Sequence, residues 1–195
     1  MTKAEEKQHL RCTMRKLTRS LSARYRAESS RAITARLLSL PEYRTAETVF
    51  CFVGTEQEID TVPVLEDALA SGKRLCVPRC SSNGSMELRQ ITALAQLSAG
   101  AYGILEPPDS APSVPIDAVD FAVLPCLTCN HPGHRLGRGG GYYDRFLAHY
   151  RGGTVLLCRE KLIRDEIPLE PHDYPVPWVL TECALYEDGT PARLC

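Results

Sequence analysis

VDFAVLPCL, residues 119–127, is the most continuous apolar run in the chain, and a short polar connection leads from it into RLGRGGGYYDRFL, residues 135–147. A run with so little polar alternation reads as a strand covered on both faces, the setting of a parallel sheet. A helix is expected over about 142–150, after the glycines, and TVLLC at 154–158 supplies the next strand. The alternation extends upstream. TVFCFV (48–53), VPVLEDALASG (62–72) and KRLCVP (73–78) read as a strand, a helix closed by Gly72, and a strand ended by Pro78. MELRQI (86–91) is expected to be a strand, TALAQLS (92–98) a short helix, and Pro107 to Pro115 a surface loop. REKLIRDE (159–166) reads as a polar helix or turn and WVLTECALYE (178–187) as a final extended segment. At the N-terminus, Lys3, Lys7, Arg11, Arg15 and Arg19 recur every four residues beside Leu10, Met14, Leu17 and Leu21, which marks an amphipathic helix over about 3–19; a second helix ends before Pro41. Strands alternating with helices predict an α/β fold, a three-layer sandwich around a largely parallel sheet, as a single domain over 1–195.

Composition narrows the class. Of 195 residues, 44% are hydrophobic and 24% charged, and 13 glycines with 14 prolines are too few for a fibrous or low-complexity chain. MTKAEEKQHL carries charges where a signal peptide needs an apolar core, and no apolar stretch nears the roughly 20 residues of a membrane span. A cytoplasmic protein without a membrane partner is expected. The nine cysteines, odd in number and dispersed, are expected to be reduced thiols. The net charge of -1 hides an asymmetry, because residues 1–36 carry +7 and the remainder -8. Such an N-terminal segment suits nucleic acid, an acidic membrane or a polyphosphate.

The densest chemical signal is the glycine loop. Gly137, Gly139, Gly140 and Gly141 let a ligand approach the backbone, and the helix behind them turns its positive end the same way. Arg135, Arg138 and Arg145 add guanidinium forks for phosphate oxygens, and Asp144 offers a hard oxygen for Mg2+. No Lys-Ser/Thr follows the glycines, and Tyr142 stands at the third glycine position of a dinucleotide fingerprint, so neither of those motifs applies. A nucleoside triphosphate is the natural ligand.

GHRLGRGGGYYDRFL (133–147), together with KQHLR (7–11), VGTEQEID (53–60), YGILEP (102–107) and HDYPV (172–176), resembles the 5-formyltetrahydrofolate cyclo-ligases, also called methenyltetrahydrofolate synthetases. The resemblance implies a fold like that of the sugar-phosphate isomerase and CoA-transferase group. It also implies conversion of 5-formyltetrahydrofolate and MgATP to 5,10-methenyltetrahydrofolate, ADP and phosphate. By this resemblance ATP meets Lys7, Gln8, His9, Leu10 and Arg11, and then Arg135, Leu136, Gly137, Arg138, Gly139, Gly140, Gly141, Tyr142 and Tyr143. Folate meets Val53 and Glu58 with Gly139, Gly140, Gly141, Tyr142 and Tyr143; Mg2+ falls to Asp144 and Asp173; and Lys7, Arg138 and Tyr143 are the catalytic set. Lys3, Arg15 and Arg19 receive no site role. The implied partners are small molecules only, ATP being a cosubstrate, and a monomer is expected.

Two departures accompany the resemblance. Thr128-Cys129-Asn130 stands where Gly-Phe-Asp is usual, turning a carboxylate into an amide, and Pro177 and Trp178 occupy commonly acidic positions. Cys126, Cys129, His131 and His134 raise a zinc reading, although the two pairs lie too close together for a finger. The alternatives to the ligase are a nucleic-acid-binding protein using the basic helix, and an isomerase or transferase that needs no ATP.

Overall fold

A computed structural model describes residues 2–81, 85–100 and 103–192. They form α1 (Lys3–Ser20), α2 (Ala23–Ser39), α3 (Pro41–Thr45), β1 (Thr48–Cys51), α4 (Val62–Ala70), β2 (Arg74–Cys80), β3 (Met86–Ile91) and β4 (Ser98–Ala99). There follow β5 (Leu105–Glu106), β6 (Ser113–Val114), β7 (Phe121–Pro125), β8 (Thr128–Cys129), β9 (Arg135–Leu136) and α5 (Tyr142–His149). The chain closes with β10 (Gly153–Leu157), β11 (Trp178–Leu180), β12 (Leu185–Glu187) and β13 (Thr190–Ala192).

The principal sheet runs in the order β13-β12-β11-β10-β7-β1-β2-β3-β6. Strands β11, β10, β7, β1 and β2 are mutually parallel, and antiparallel additions complete both edges. Alternate side chains explain why both faces are covered. Val49 and Cys51, Phe121 and Val123, and Val155 and Leu157 pack into one core with Ile33, Leu37, Val64, Leu65 and Ala68 from α2 and α4. Phe50, Ala122, Leu124 and Leu156 pack into a second core with Met14 of α1 and Phe146 and Leu147 of α5. The sheet is therefore the middle of three layers, as the apolar runs predicted.

Local chemistry fixes the element ends that matter. Thr2 and Glu5 form a capping box that starts α1, and Gly72, at φ 73°, turns the chain out of α4. The differences from expectation have physical causes. TALAQLS makes only a 3-10 turn at 94–96 before β4, and REKLIRDE a 3-10 turn at 160–162, because neither segment is long enough to bury a continuous stripe. Pro78 does not end its strand: β2 continues to Cys80, since the β1 partnership stops at Cys76 and only β3 flanks the proline. WVLTECALYE is two antiparallel strands, with Thr181 accepting from the amides of Cys183 and Ala184 at the corner. Tyr102 of YGILEP, and Cys195, lie outside the described residues.

Candidate active site

A cavity of about 550 Å³ opens beyond the carboxyl ends of β1, β2 and β7, where ligands sit in open parallel sheets. The segments that line it come from distant parts of the chain: Lys7 and Arg11 from α1, Val53 and Glu58 after β1, Arg135 to Asp144, and Glu170 to Asp173.

The glycine loop is fastened through its carbonyls. Arg11 Nε donates to Gly137 O at 3.1 Å and Arg15 Nη2 to Arg138 O at 3.3 Å. Gly139 and Gly141 take φ of 108° and 66°, a region that disfavours side chains, and Gly141 leads into α5 with no side chain capping the helix. The uncapped amides at the start of α5 therefore lie at the cavity wall, a ready anion site. Buried Arg135 pairs with Asp144 Oδ1 at 2.7 Å and lies over the ring of Tyr143, which in turn stacks on Phe50. Burial pushes the Tyr143 phenol well above its ordinary value, so it stays protonated at neutral pH.

Glu58 is held from two sides. Its Oε2 accepts from the Thr55 amide and hydroxyl at 3.0 and 2.8 Å, while Oε1 meets Arg138 Nη2 at 3.1 Å. The backbone beneath is braced by Arg159, only 2% exposed, which donates to Gln57 O (3.0 Å), Glu58 O (2.7 Å) and the hydroxyls of Ser29 and Ser30. Burial pulls the Arg159 guanidinium below its usual value, although it remains a cation.

Lys7 is buried, and its Nζ contacts Glu170 Oε2 and Asp173 Oδ2 at 2.6 Å each. Burial alone would lower the ammonium, but the bonds and charges of Asp173 and Glu170 outweigh it and raise its pKa. The reciprocal interaction holds both carboxyls below their usual range, against desolvation in the case of Asp173.

The expected residues divide. Lys7, Arg11, Val53, Glu58, Arg135, Leu136, the loop from Gly137 to Tyr143, Asp144 and Asp173 all face the cavity. Gln8 and His9 are exposed, and Leu10 packs toward the α1/α5 core; none of the three lines the cavity. One helical face explains the split, because positions 7, 11 and 15 lie four apart. Arg15, expected to have no site role, is on that face and in the wall. Glu106 and Glu170 were also missed. Both line the cavity, and buried Glu106 accepts a long 3.4 Å bond from the Cys80 amide. Asn130 does not face the cavity: it closes its own turn, accepting from the His134 amide at 2.9 Å. The zinc set also changes, since His131 stacks on Tyr186 and His134 contacts Asn130, whereas Cys126 and Cys129 gather with Cys158.

The family model described as the 5-formyltetrahydrofolate cyclo-ligase family matches residues 3–182. The chain belongs to that family. The 5-formyltetrahydrofolate cyclo-ligase of Escherichia coli K12 is 28% identical over 180 residues, 89% of this chain and 99% of that protein. The mouse cyclo-ligase is 27% identical over 189 residues, with 90% and 93% covered. Among solved structures, the 5,10-methenyltetrahydrofolate synthetase of Aquifex aeolicus aligns with a TM-score of 0.82 and 29% identity over 96% of this chain and 94% of that one. The cyclo-ligases are ATP-dependent ligases, so this chain is an enzyme of that class. Neither the fold nor these relatives support a nucleic-acid-binding protein or an ATP-free isomerase or transferase. Among the described residues, no helix is long and apolar enough to cross a membrane.

Proposed function

We propose that this cavity closes 5-formyltetrahydrofolate to 5,10-methenyltetrahydrofolate, with ATP converted to ADP and phosphate. The observation that carries the reading is the meeting, around one cavity, of cationic side chains from α1 and the glycine loop with a carboxylate, Glu58, that reaches the loop at Arg138.

The chemistry demands such a division. A formamide carbonyl is a poor electrophile, and its oxygen must leave as the ring closes. Attack of the formyl oxygen on the γ-phosphorus makes that oxygen part of a good leaving group, N10 adds to the activated carbon, and phosphate departs as the methenyl bridge forms. The chain's work is positioning and charge neutralisation. Lys7 and Arg11, with the loop and the start of α5, take the phosphates. Glu58 accepts from the pterin's N–H groups, which replace Arg138 at its Oε1, and Arg138 is then released toward the phosphates. Tyr142 and Tyr143 wall the site, and neutral Tyr143 keeps a proton to donate. The carboxylates at Asp144 and Asp173 have the hard oxygens Mg2+ requires, and the ion would there neutralise phosphate charge.

The test is isotopic. Substrate carrying 18O in its formyl group, incubated with the protein and MgATP, is expected to yield phosphate with one labelled oxygen per methenyl formed. Unlabelled phosphate beside normal methenyl formation would overturn the phosphorylated intermediate. ADP release that does not depend on 5-formyltetrahydrofolate would overturn the assignment itself.

A further inference from the structure

Three cysteines with no part in that reaction meet at the edge of the cavity, whose lining includes Cys126. Cys126 follows β7, Cys129 lies in β8 and Cys158 follows β10, and their sulfurs all lie within 4.8 Å of one another. Cys129 and Cys158 are buried and Cys126 is half-buried. A disulfide would use two sulfurs and strand the third. Three at mutual short range match a cation's donor set. Donors about 2.3 Å from a tetrahedral ion stand roughly 3.8 Å apart, so a shift of about an ångström, within the reach of side-chain rotation, closes the site.

Two further observations agree. A small hollow of about 40 Å³, which adjoins the main cavity at Cys126, touches both Cys126 and Cys158, more than the roughly 10–15 Å³ one water needs, which leaves space for solvent as a fourth ligand beside two of the sulfurs. The cluster, among the described residues, holds sulfur alone, with no carboxylate or imidazole in it. An all-thiol set selects a thiophilic d10 ion over Mg2+ or Ca2+. Three thiolates around a divalent ion leave one negative charge, and the guanidinium groups of Arg135 and Arg159 act on Cys126 and Cys158.

We propose that Cys126, Cys129 and Cys158 form a binding site for a thiophilic d10 cation, Zn2+ in the cell, that ties the carboxyl ends of β7 and β10 to the β8–β9 ribbon. Each sulfur gives up its proton to solvent as its bond to the ion forms, and no electrons are transferred.

The experiment is titration of the reduced, metal-free full chain with Cd2+, followed by the thiolate-to-cadmium charge-transfer absorption, then displacement by Zn2+. The expected result is one ion per chain, a Zn2+-dependent rise in melting temperature, and affinity unaltered in a Cys12→Ser/Cys183→Ser control at the two thiols that are exposed among the described residues. Loss of outer partners alone weakens metal sites about 10–100-fold, so Cys126→Ser and Cys158→Ser are each expected to weaken binding by about 100-fold or more. Cys126→Ser, at the half-buried position, keeps the test open if Cys158→Ser fails to fold. No charge-transfer band in the wild type, a band that survives both substitutions, or a Cys126–Cys129 disulfide that re-forms in the presence of Zn2+ would each overturn the proposal.

Discussion

Two hollows open at opposite ends of the same strands. The one at the carboxyl ends, about 550 Å³, brings α1, the turn after β1, the glycine loop and the 170–173 segment together. The other, about 460 Å³ at the amino ends, is lined by Glu42, Thr45, Glu47, Asp120 and their neighbours. Volume does not distinguish them. Their carboxylates do: Asp120 accepts from the amides of Glu47 and Thr48 at 3.0 and 2.7 Å and so splices β1 to β7, whereas Glu58, Asp144 and Asp173 each face a cation carried on another element, Arg138 of the loop, Arg135 of β9 and Lys7 of α1. A site shows itself by opposite charges that converge from separate elements, each able to exchange its partner for a ligand.

The sharpest test pairs one carboxylate from each end. Asp144→Asn is expected to leave the chain folded and to lower Mg2+-dependent turnover by about 100-fold or more, as when a preorganised charge contact is lost. Asp120→Asn is expected to spare kcat/KM and to cost about 1–2 kcal/mol of stability through its two weakened amide bonds. Equal losses of turnover at both ends would break the comparison.

Within α1 the cationic face is expected to separate from the rest. Arg11→Ala should lose about 2 kcal/mol of transition-state stabilisation, roughly 30-fold in kcat/KM. Arg15→Ala, which frees only one loop carbonyl, should lose less, and exposed Arg19→Ala almost nothing. Steady-state kinetics with uniform small effects at all three positions would remove α1 from the phosphate site. Glu58→Gln should raise the folate KM about tenfold, the cost of one mispaired hydrogen bond, with the ATP KM unchanged; the reverse pattern would move Glu58 to the nucleotide side.

The smallest effect concerns the Lys7 clasp. Its carboxyls are held low, so their contribution is complete above their ordinary values and fades as pH falls through the depressed ones. Lys7 is held high, so its share persists up to its ordinary 10.5 and fades only above that. The stability difference between wild type and Lys7→Met should therefore be flat across neutral pH and shrink below the ordinary Asp173 value of 3.8. Denaturation curves at stepped pH would show it, and a difference that grows in acid would refute the clasp.

What could be read from the sequence was whatever is local. The apolar runs located β1, β2, β7 and β10, and the glycines with their following helix located the loop, because each signal lies within a dozen residues. Contacts across long separations left no such trace. Cys158 lies 29 residues beyond Cys129 in an ordinary strand-like run, so the thiol cluster exists only once β10 packs beside β7. The place of Arg15 in the cavity wall was illegible for a related reason. Sequence shows that a helix has a basic face, but which turns of that face meet the loop is decided by packing. Likewise Arg159 looked like the start of a polar turn, and its grip on the Glu58 backbone spans 101 residues.

The way α1 is attached has a kinetic consequence. Of its 18 residues only Lys7, Met14 and Thr18 are buried, and its links to the rest of the wall are ion pairs and guanidinium-to-carbonyl bonds. β7, by contrast, is interior along almost its whole length. Amide protons of α1 should accordingly exchange with solvent through a small, local opening, long before those of β7. Nucleotide that replaces the weak loop contacts with phosphate contacts should slow that exchange selectively. Entry to the cavity would then be timed by the lifting of one helix, with the sheet beneath standing still.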